Sequence, residues 1–292
     1  MSKGRDALIS AGLFVTCCVT TTIVGGPAFG ATLMGILLCH EAGHYIVGRL
    51  HGEDVSLPYF IPMPPFLTLG TLGAVIRMRK PIRDRKKLFD VGAAGPVAGL
   101  LVAIPLLVIG LSNSEVGPIP KDSSLEGNSI LYALLKHAVF GQWLPGNNID
   151  VHLSPMALAA WVGLLVTMIN LMPIGQLDGG HIARAALGQS HEKWSARLHI
   201  ALPVIGASVG GVMLVVARNA GKGWIDAAEY ASSGLIPWMI WTLMLGWMRR
   251  SAGEYHPEVD DEPLNPLRRV AAIGMLLLFV TILTPVPWRS VL

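Results

Sequence analysis

The stretch "ATLMGILLCHEAGHYIVGR" occupies residues 31–49. It is long and apolar enough for one crossing of a hydrocarbon core of about 30 Å, yet it carries His40, Glu41 and His44. A polar group at that depth costs several kcal/mol unless a partner meets it. At about 100° per residue, the two histidines lie within roughly 40° of one another on a helical face, the spacing at which two imidazoles hold one zinc ion. Glu41 lies about 60° round from His44, beside such a metal and free to reach a water bound to it. This is the H-E-x-x-H pattern, two ligands and a general base on one helix. Five residues alone match by chance in many chains. Inside an apolar span, however, an ionisable triplet is expensive without a function, and histidines that merely bonded to neighbouring helices would leave Glu41 unexplained.

Composition extends this reading outward. Of 292 residues, 52% are hydrophobic and only 14% charged, which argues against a water-soluble globule. Candidate spans run over about 7–26, 31–49, 88–111, 154–173, 195–217, 233–249 and 270–287. The fold class expected is therefore an all-α polytopic membrane protein with about six to seven transmembrane helices. Lys3 and Arg5 precede an apolar stretch that continues past Gly25 without a convincing cleavage site, so the first span reads as retained. If the N-terminus faces the cytoplasm, all of the 22 Lys and Arg residues fall on that side except Lys121, Lys136, Arg218, Lys222 and Arg289. That asymmetry sets the expected orientation. It also accounts for the net charge of +3 through topology signals and contacts with the lipid bilayer, with no need for nucleic acid. Cys17, Cys18 and Cys39 read as small side chains within spans and not as a disulfide framework.

Two stretches do not fit plain spans. Residues 55–79 are apolar but contain Pro58, Pro62, Pro64 and Pro65, which rules out a continuous helix. Thr71 to Met78 alternates as a strand does. Non-helical backbone at membrane depth needs protein or a water-filled cavity around it, so 55–79 is expected to be a membrane-associated β-hairpin dipping in from the cytoplasmic side. Residues 112–153 are polar and rich in Gly and Asn, and read as an extracytoplasmic loop with a short interfacial helix from Ser129 to Phe140. The acidic segment "GEYHPEVDDEPLNP" (253–266) reads as a cytoplasmic linker. The whole chain, 1–292, is expected to form a single membrane-embedded domain with a core over 31–190 and additional C-terminal spans over 195–292.

A catalytic zinc takes three protein ligands and keeps one position open. Glu53 and Asp54 sit past the helix end in a basic turn and read as solvated charges. Asp178, in "INLMPIGQLDGGHIARAAL" (169–187), is the stronger candidate. Pro173 ends the fourth span and Asp178 begins a short helix, which puts its carboxylate near the cytoplasmic end of the membrane. His44 lies about 7–8 Å before Arg49 at 1.5 Å per residue, so the two depths agree. The competing reading makes Asp178 a helix N-cap.

These residues resemble the site-2 protease family of intramembrane zinc metalloproteases over about 31–187. "HEAGH" (40–44) is similar to its zinc-binding motif, "NLMPIGQLDGG" (170–180) to its second motif, and "FDVGAAGPVAG" (89–99) to its F-x-x-x-x-x-G-P-x-x-G stretch. The "YFIPMP…LGTLGA" segment (59–74) looks like the hairpin of branches without a PDZ insertion. The resemblance implies one Zn2+ per chain bound by His40, His44 and Asp178, with Glu41 as catalytic base. It implies a substrate that is a single transmembrane helix of another protein, and a catalytic role for Asn170 in binding the substrate backbone or the oxyanion. An Asn within a span can equally tie two helices together. Gly95, Pro96 and Gly99 read as close helix packing. His181 either orients a ligand or makes a plain polar contact. Histidines 51, 137, 152, 191, 199 and 256 fall in loops or at span ends and read as bystanders. Two other functions remain open at this level: a metal transporter whose His and Asp line the path, and an inactive relative that only binds transmembrane helices. The location expected is an integral multi-pass protein of a bacterial plasma membrane, with its active site towards the cytoplasm.

Overall fold

The computed structural model describes residues 3–66, 68–120 and 123–291. Lys121 of the charge count and Leu67 of the expected hairpin therefore lie outside the described residues. The chain is mostly helical. Helix α1 (Lys3–Leu50) is broken at Gly26, which adopts φ 82° and ψ 175°, a conformation open to glycine at little cost. Pro27 follows at the first position of the second half, where a missing N–H is no loss. The halves fold back on each other so closely that a Cβ on Gly30 would meet the Thr22 backbone nitrogen at 3.0 Å. This break answers to the gap expected between spans 7–26 and 31–49.

After α1 come strands β1 (Tyr59–Pro62) and β2 (Thr71–Val75), paired antiparallel. Beyond Val75 only a bridge between Val55 and Met78 continues the pairing, so the strand is shorter than the alternation over 71–78 predicts. The N-terminal half of α1 holds this pair. Ser10 Oγ donates to the Pro58 carbonyl at 2.6 Å, Thr20 Oγ1 donates to the Gly70 carbonyl at 2.7 Å, and Phe14 meets Phe60 edge-on at 4.9 Å.

Helix α2 (Arg85–Ser112) starts where Asp84 caps the amides of Lys86 and Lys87. Residues 113–153 then hold more structure than a loop with one helix. Strand β3 (Glu115–Pro118) pairs with β5 (Ile149–His152), and β4 (Ser124–Glu126) pairs with the C-terminal β6 (Trp288–Ser290). Between them α3 (Ile130–Phe140) lies where the sequence places it, with the Ser129 side chain capping the Tyr132 amide. Four helices complete the chain after α4 (Pro155–Asn170): α5 (Asp178–Leu187), α6 (Ser190–Asn219), α7 (Trp224–Ala252) and α8 (Pro266–Ile282).

Among the described residues three helices are long and apolar enough to cross a membrane: 4–50 within α1, α2 and α6. At 16 residues, α4 is about 24 Å long at 1.5 Å per residue, short of a full hydrocarbon core. The outer surface is apolar, with Val15, Ile23, Leu101, Ile200, Leu243 and Leu277 all exposed, as suits a chain solvated by lipid. One apolar core joins α1, α2, α3 and α4 through residues such as Leu33, Leu107, Tyr132 and Trp161. A second joins α2, α5 and α6–α8 through Leu171, Ile182, Trp238 and Met275. The ends of α1 and α5 meet α2 where the two cores adjoin.

All three cysteines are free, Cys17 fully buried and the other two partly so. The 253–266 segment does join α7 to α8, but it is anchored. Tyr255, His256, Val259 and Leu264 are buried, while Glu258, Asp260, Asp261, Glu262 and Pro263 face outward.

Candidate metal centre

His40 and His44 stand one turn apart on the second half of α1, and α5 brings its first residue, Asp178, against them. His40 Nε2 lies 3.1 Å from Asp178 Oδ2, His44 Nε2 lies 3.2 Å from the same oxygen, and the two Nε2 atoms are 3.2 Å apart. His44 Nδ1–H donates to the Val91 carbonyl of α2 at 2.8 Å. That bond fixes the tautomer and turns the Nε2 lone pair of His44 inward. Three atoms able to present lone pairs thus converge on one point, where a single cation would meet them all. Ligands about 2.0–2.1 Å from a tetrahedral zinc are roughly 3.3 Å from each other, so the triangle fits that ion closely. Among the described residues these three form the one group of His, Cys, Asp or Glu placed to hold a metal.

Small residues make the convergence possible. Gly95 of α2 faces His44 so directly that a Cβ there would clash with Nε2, and a Cβ on Gly99 would meet the His40 ring at 3.2 Å. The G-P-x-x-G stretch therefore packs two helices and also clears the volume in which the imidazoles sit. Gly179 and Gly180 let the start of α5 press against the 171–175 backbone, which swings Asp178 towards α1. Asp178 makes no cap bond, since α5 has Leu177 at its N-cap.

Glu41, only 5% exposed, lines a cavity of about 200 Å³ together with His40, His44, Asp178, Asn170 and His181. Ala74, Val75 and Ile76 of the β2 segment line it too. Asn170 Nδ2 reaches His40 Nε2 at 3.5 Å, the outer limit of a hydrogen bond. Glu53 and Asp54 pair elsewhere, with Lys87 at 3.0 Å and Arg79 at 3.3 Å.

Residues 28–216 match the description of Peptidase family M50, the site-2 protease family. The chain belongs to this family. The M50 match covers more than half the chain and includes all three motifs, while the first half of α1 and helices α7 and α8 lie beyond it. The chain is 34% identical over 164 residues to "Probable zinc metalloprotease EGY1, chloroplastic" of Arabidopsis thaliana, covering 54% of this chain and 29% of that protein. It is 29% identical over 266 residues to "Probable zinc metalloprotease EGY2, chloroplastic" of the same plant, covering 90% of this chain and 41% of that protein. The chain thus spans less than half the length of these curated relatives. They are named as chloroplastic, so the bacterial plasma membrane expected above finds no support in them. No solved structure matches the chain.

Some of this M50 site is not visible in sequence. Nothing in "LFDVGAAG" (88–95) marks the Val91 carbonyl as the partner of His44. The histidines expected to be bystanders include two that are fully enclosed: His256 is 2% exposed and His191 0%. His256 touches the cavity-lining His181, its Nε2 standing 2.7 Å from His181 Nδ1. Two of the others are tied off away from the cavity, His51 on Asp90 and His199 on Tyr255.

Proposed function

We propose that this chain is an intramembrane zinc metalloprotease that hydrolyses a peptide bond in or near the transmembrane helix of another membrane protein. The observation that carries this reading is the triangle of His40 Nε2, His44 Nε2 and Asp178 Oδ2 with sides of 3.1–3.2 Å, with Glu41 in the same cavity. When bound there, zinc supplies a Lewis acid for the scissile carbonyl and brings the pKa of its water towards about 7.

The chain's own residues do the rest. His40, His44 and Asp178 hold the ion, and His44 is kept in register by the Val91 carbonyl. Glu41 accepts a proton from water in the cavity and passes it to the departing amine. Asn170 donates its amide N–H towards the substrate backbone. A helical substrate must open before its peptide bond is reachable, and an opened segment carries unpaired N–H and C=O groups. Strand β2 is paired on one edge only and borders the cavity, so it offers those groups backbone partners by strand addition. In this reading the halves of α1, with α2, α4, α6, α7 and α8, form the expected six to seven spans, the N-terminus is cytoplasmic, and the β1–β2 pair is associated with the membrane.

The test is to incubate purified protein with a panel of single-span reporter proteins, with and without a zinc chelator. Cleavage that the chelator stops, and that Glu41→Gln reduces by about 10²–10⁴-fold at full zinc content, supports the proposal. Chelator-resistant cleavage, or unimpaired cleavage by the Glu41→Gln variant, overturns it. Zinc flux into liposomes without any cleavage would instead return the transporter reading.

A further inference from the structure

The segment between α7 and α8 reaches the wall of the catalytic cavity. It is anchored to the core at several points: Tyr255 OH bonds His199 Nδ1 at 2.8 Å, the Tyr255 amide donates to Glu192 Oε1 at 3.2 Å, and the Asp260 amide donates to the Arg83 carbonyl at 3.0 Å. Between these anchors His256 packs edge-on against His181 and His191, at centroid distances of 4.9 and 5.9 Å.

The hydrogen bonds of this group decide where its protons are. His256 Nδ1 lies 2.9 Å from the Pro257 carbonyl oxygen, which can only accept, so Nδ1 carries hydrogen. Burial, with Arg184 nearby, pushes His256 down to about 4, so the ring is neutral at physiological pH and its Nε2 is bare. His181 Nδ1 stands 2.7 Å from that bare nitrogen and must donate to it. A neutral His181 then has its lone pair on Nε2, the ring nitrogen that takes no protein partner among the described residues, on a side chain that lines the cavity with Glu41, His44 and Asp178.

We infer that His256 is a positioning residue: through its bond to His181 it holds that ring in the Nδ1–H tautomer and presents Nε2 to the catalytic cavity as an acceptor for a hydrogen of water. Without the bond to His256, a neutral histidine favours the Nε2–H form, which would present a donor to the cavity in place of an acceptor. The segment bearing His256 lies outside the stretch matched to the family. The inference rests on the protease reading for its consequence, though not for the tautomer itself.

The experiment has two arms on the full chain. In protein labelled with 15N-histidine, nitrogen spectra are expected to show both His181 and His256 as Nδ1–H tautomers, assigned through His181→Gln and His256→Ala. His256→Ala is expected to return His181 to the Nε2–H form. His256→Gln, whose Oε1 can take the place of the lost Nε2, is expected to keep it as Nδ1–H. In the second arm, His256→Ala lowers kcat on a cleavable reporter by about tenfold with KM and zinc content unchanged, and His256→Gln recovers most of that loss. A wild-type His181 found as Nε2–H overturns the inference, as does a His256→Gln variant as slow as His256→Ala, or zinc lost from His256→Ala. If the wild type cleaves no reporter, the protease reading fails alone, and the nitrogen spectra still decide whether His256 sets the tautomer.

Discussion

Two clusters of buried charge-bearing groups lie in this molecule, and they are solved differently. In the 113–153 region Lys136, 0% exposed, sits 3.4 Å from Glu126 and 3.2 Å from Asp150, with the Tyr132 hydroxyl donating to Glu126 at 2.9 Å. That cluster contains its own cation. The group formed by His40, His44 and Asp178 contains none: its atoms face one another as acceptors, and glycines rather than counter-charges surround them. A buried charge is tolerated only when paired or bound to metal. The first cluster is complete as a folded element, and the second is complete only with an ion the chain does not supply. The contrast separates a structural polar core from a site, and it can be attacked by experiment from both sides.

The largest effect is expected from Asp178→Ala. Roughly 10–16 kcal/mol of binding shared by four zinc positions puts one ligand at ~2.5–4 kcal/mol, so zinc content measured by elemental analysis falls and reporter cleavage disappears. Unchanged zinc would show that the carboxylate is not a ligand and would dissolve the contrast. Lys136→Met is the mirror experiment. Removing one partner of a buried ion group leaves the carboxylates uncompensated and costs about 3–5 kcal/mol, read as a lower unfolding midpoint, while zinc per folded chain stays the same. Loss of zinc in that variant would join the two clusters that the comparison keeps apart.

A smaller effect is expected from Gly95→Ala, which changes no ligand. Its methyl group would clash with His44 Nε2, so the imidazole must turn away and its bond to Val91 lengthen. Zinc affinity is expected to fall by about 10–100-fold, measured by competition with a chelating dye. Unaltered affinity would reduce the glycine to ordinary helix packing.

How far these features were legible depended on the range of the signal. The two histidines and Glu41 lie within five residues of one helix, and Asp178 could be joined to them by counting rises to the membrane edge. Ser129 before an apolar run announced α3, and Gly26–Pro27 separated the halves of α1. Legibility ended where short pieces meet across the chain. The three-residue β4 and β6 carry too little alternation to be seen, and their partners are more than a hundred residues apart. Lys136 enters the sequence reading only as an extracytoplasmic charge because nothing adjacent to it betrays Glu126 and Asp150. The 253–266 segment reads only as a linker because its acids outnumber Tyr255, Val259 and Leu264, whose spacing follows no helical or strand period. Docking against α5 and α6, not local propensity, buries them. Of the predicted spans, α4 and α8 fall short in observed length, α4 because Pro155 and the turn at Leu171 bound it.

The smallest effect concerns Glu126 and is a matter of pH. Burial, opposed by Lys136, raises the Glu126 carboxyl above its usual 4.5. The folded chain therefore holds this proton more tightly than the unfolded chain does. Stability from the protonated form is full below about 4.5 and is lost as pH rises through the folded value. Glu126→Gln keeps a neutral group of similar shape and removes the titration, so the unfolding midpoint should lose part of its downward slope over that window while zinc content is unmoved. A slope that survives the substitution would assign it to a group other than Glu126. A slope that grows would mean that the ionised carboxylate, held by Lys136 and Tyr132, is the stabilising form, and that this cluster is a true ion pair with its charges matched rather than one acid too many.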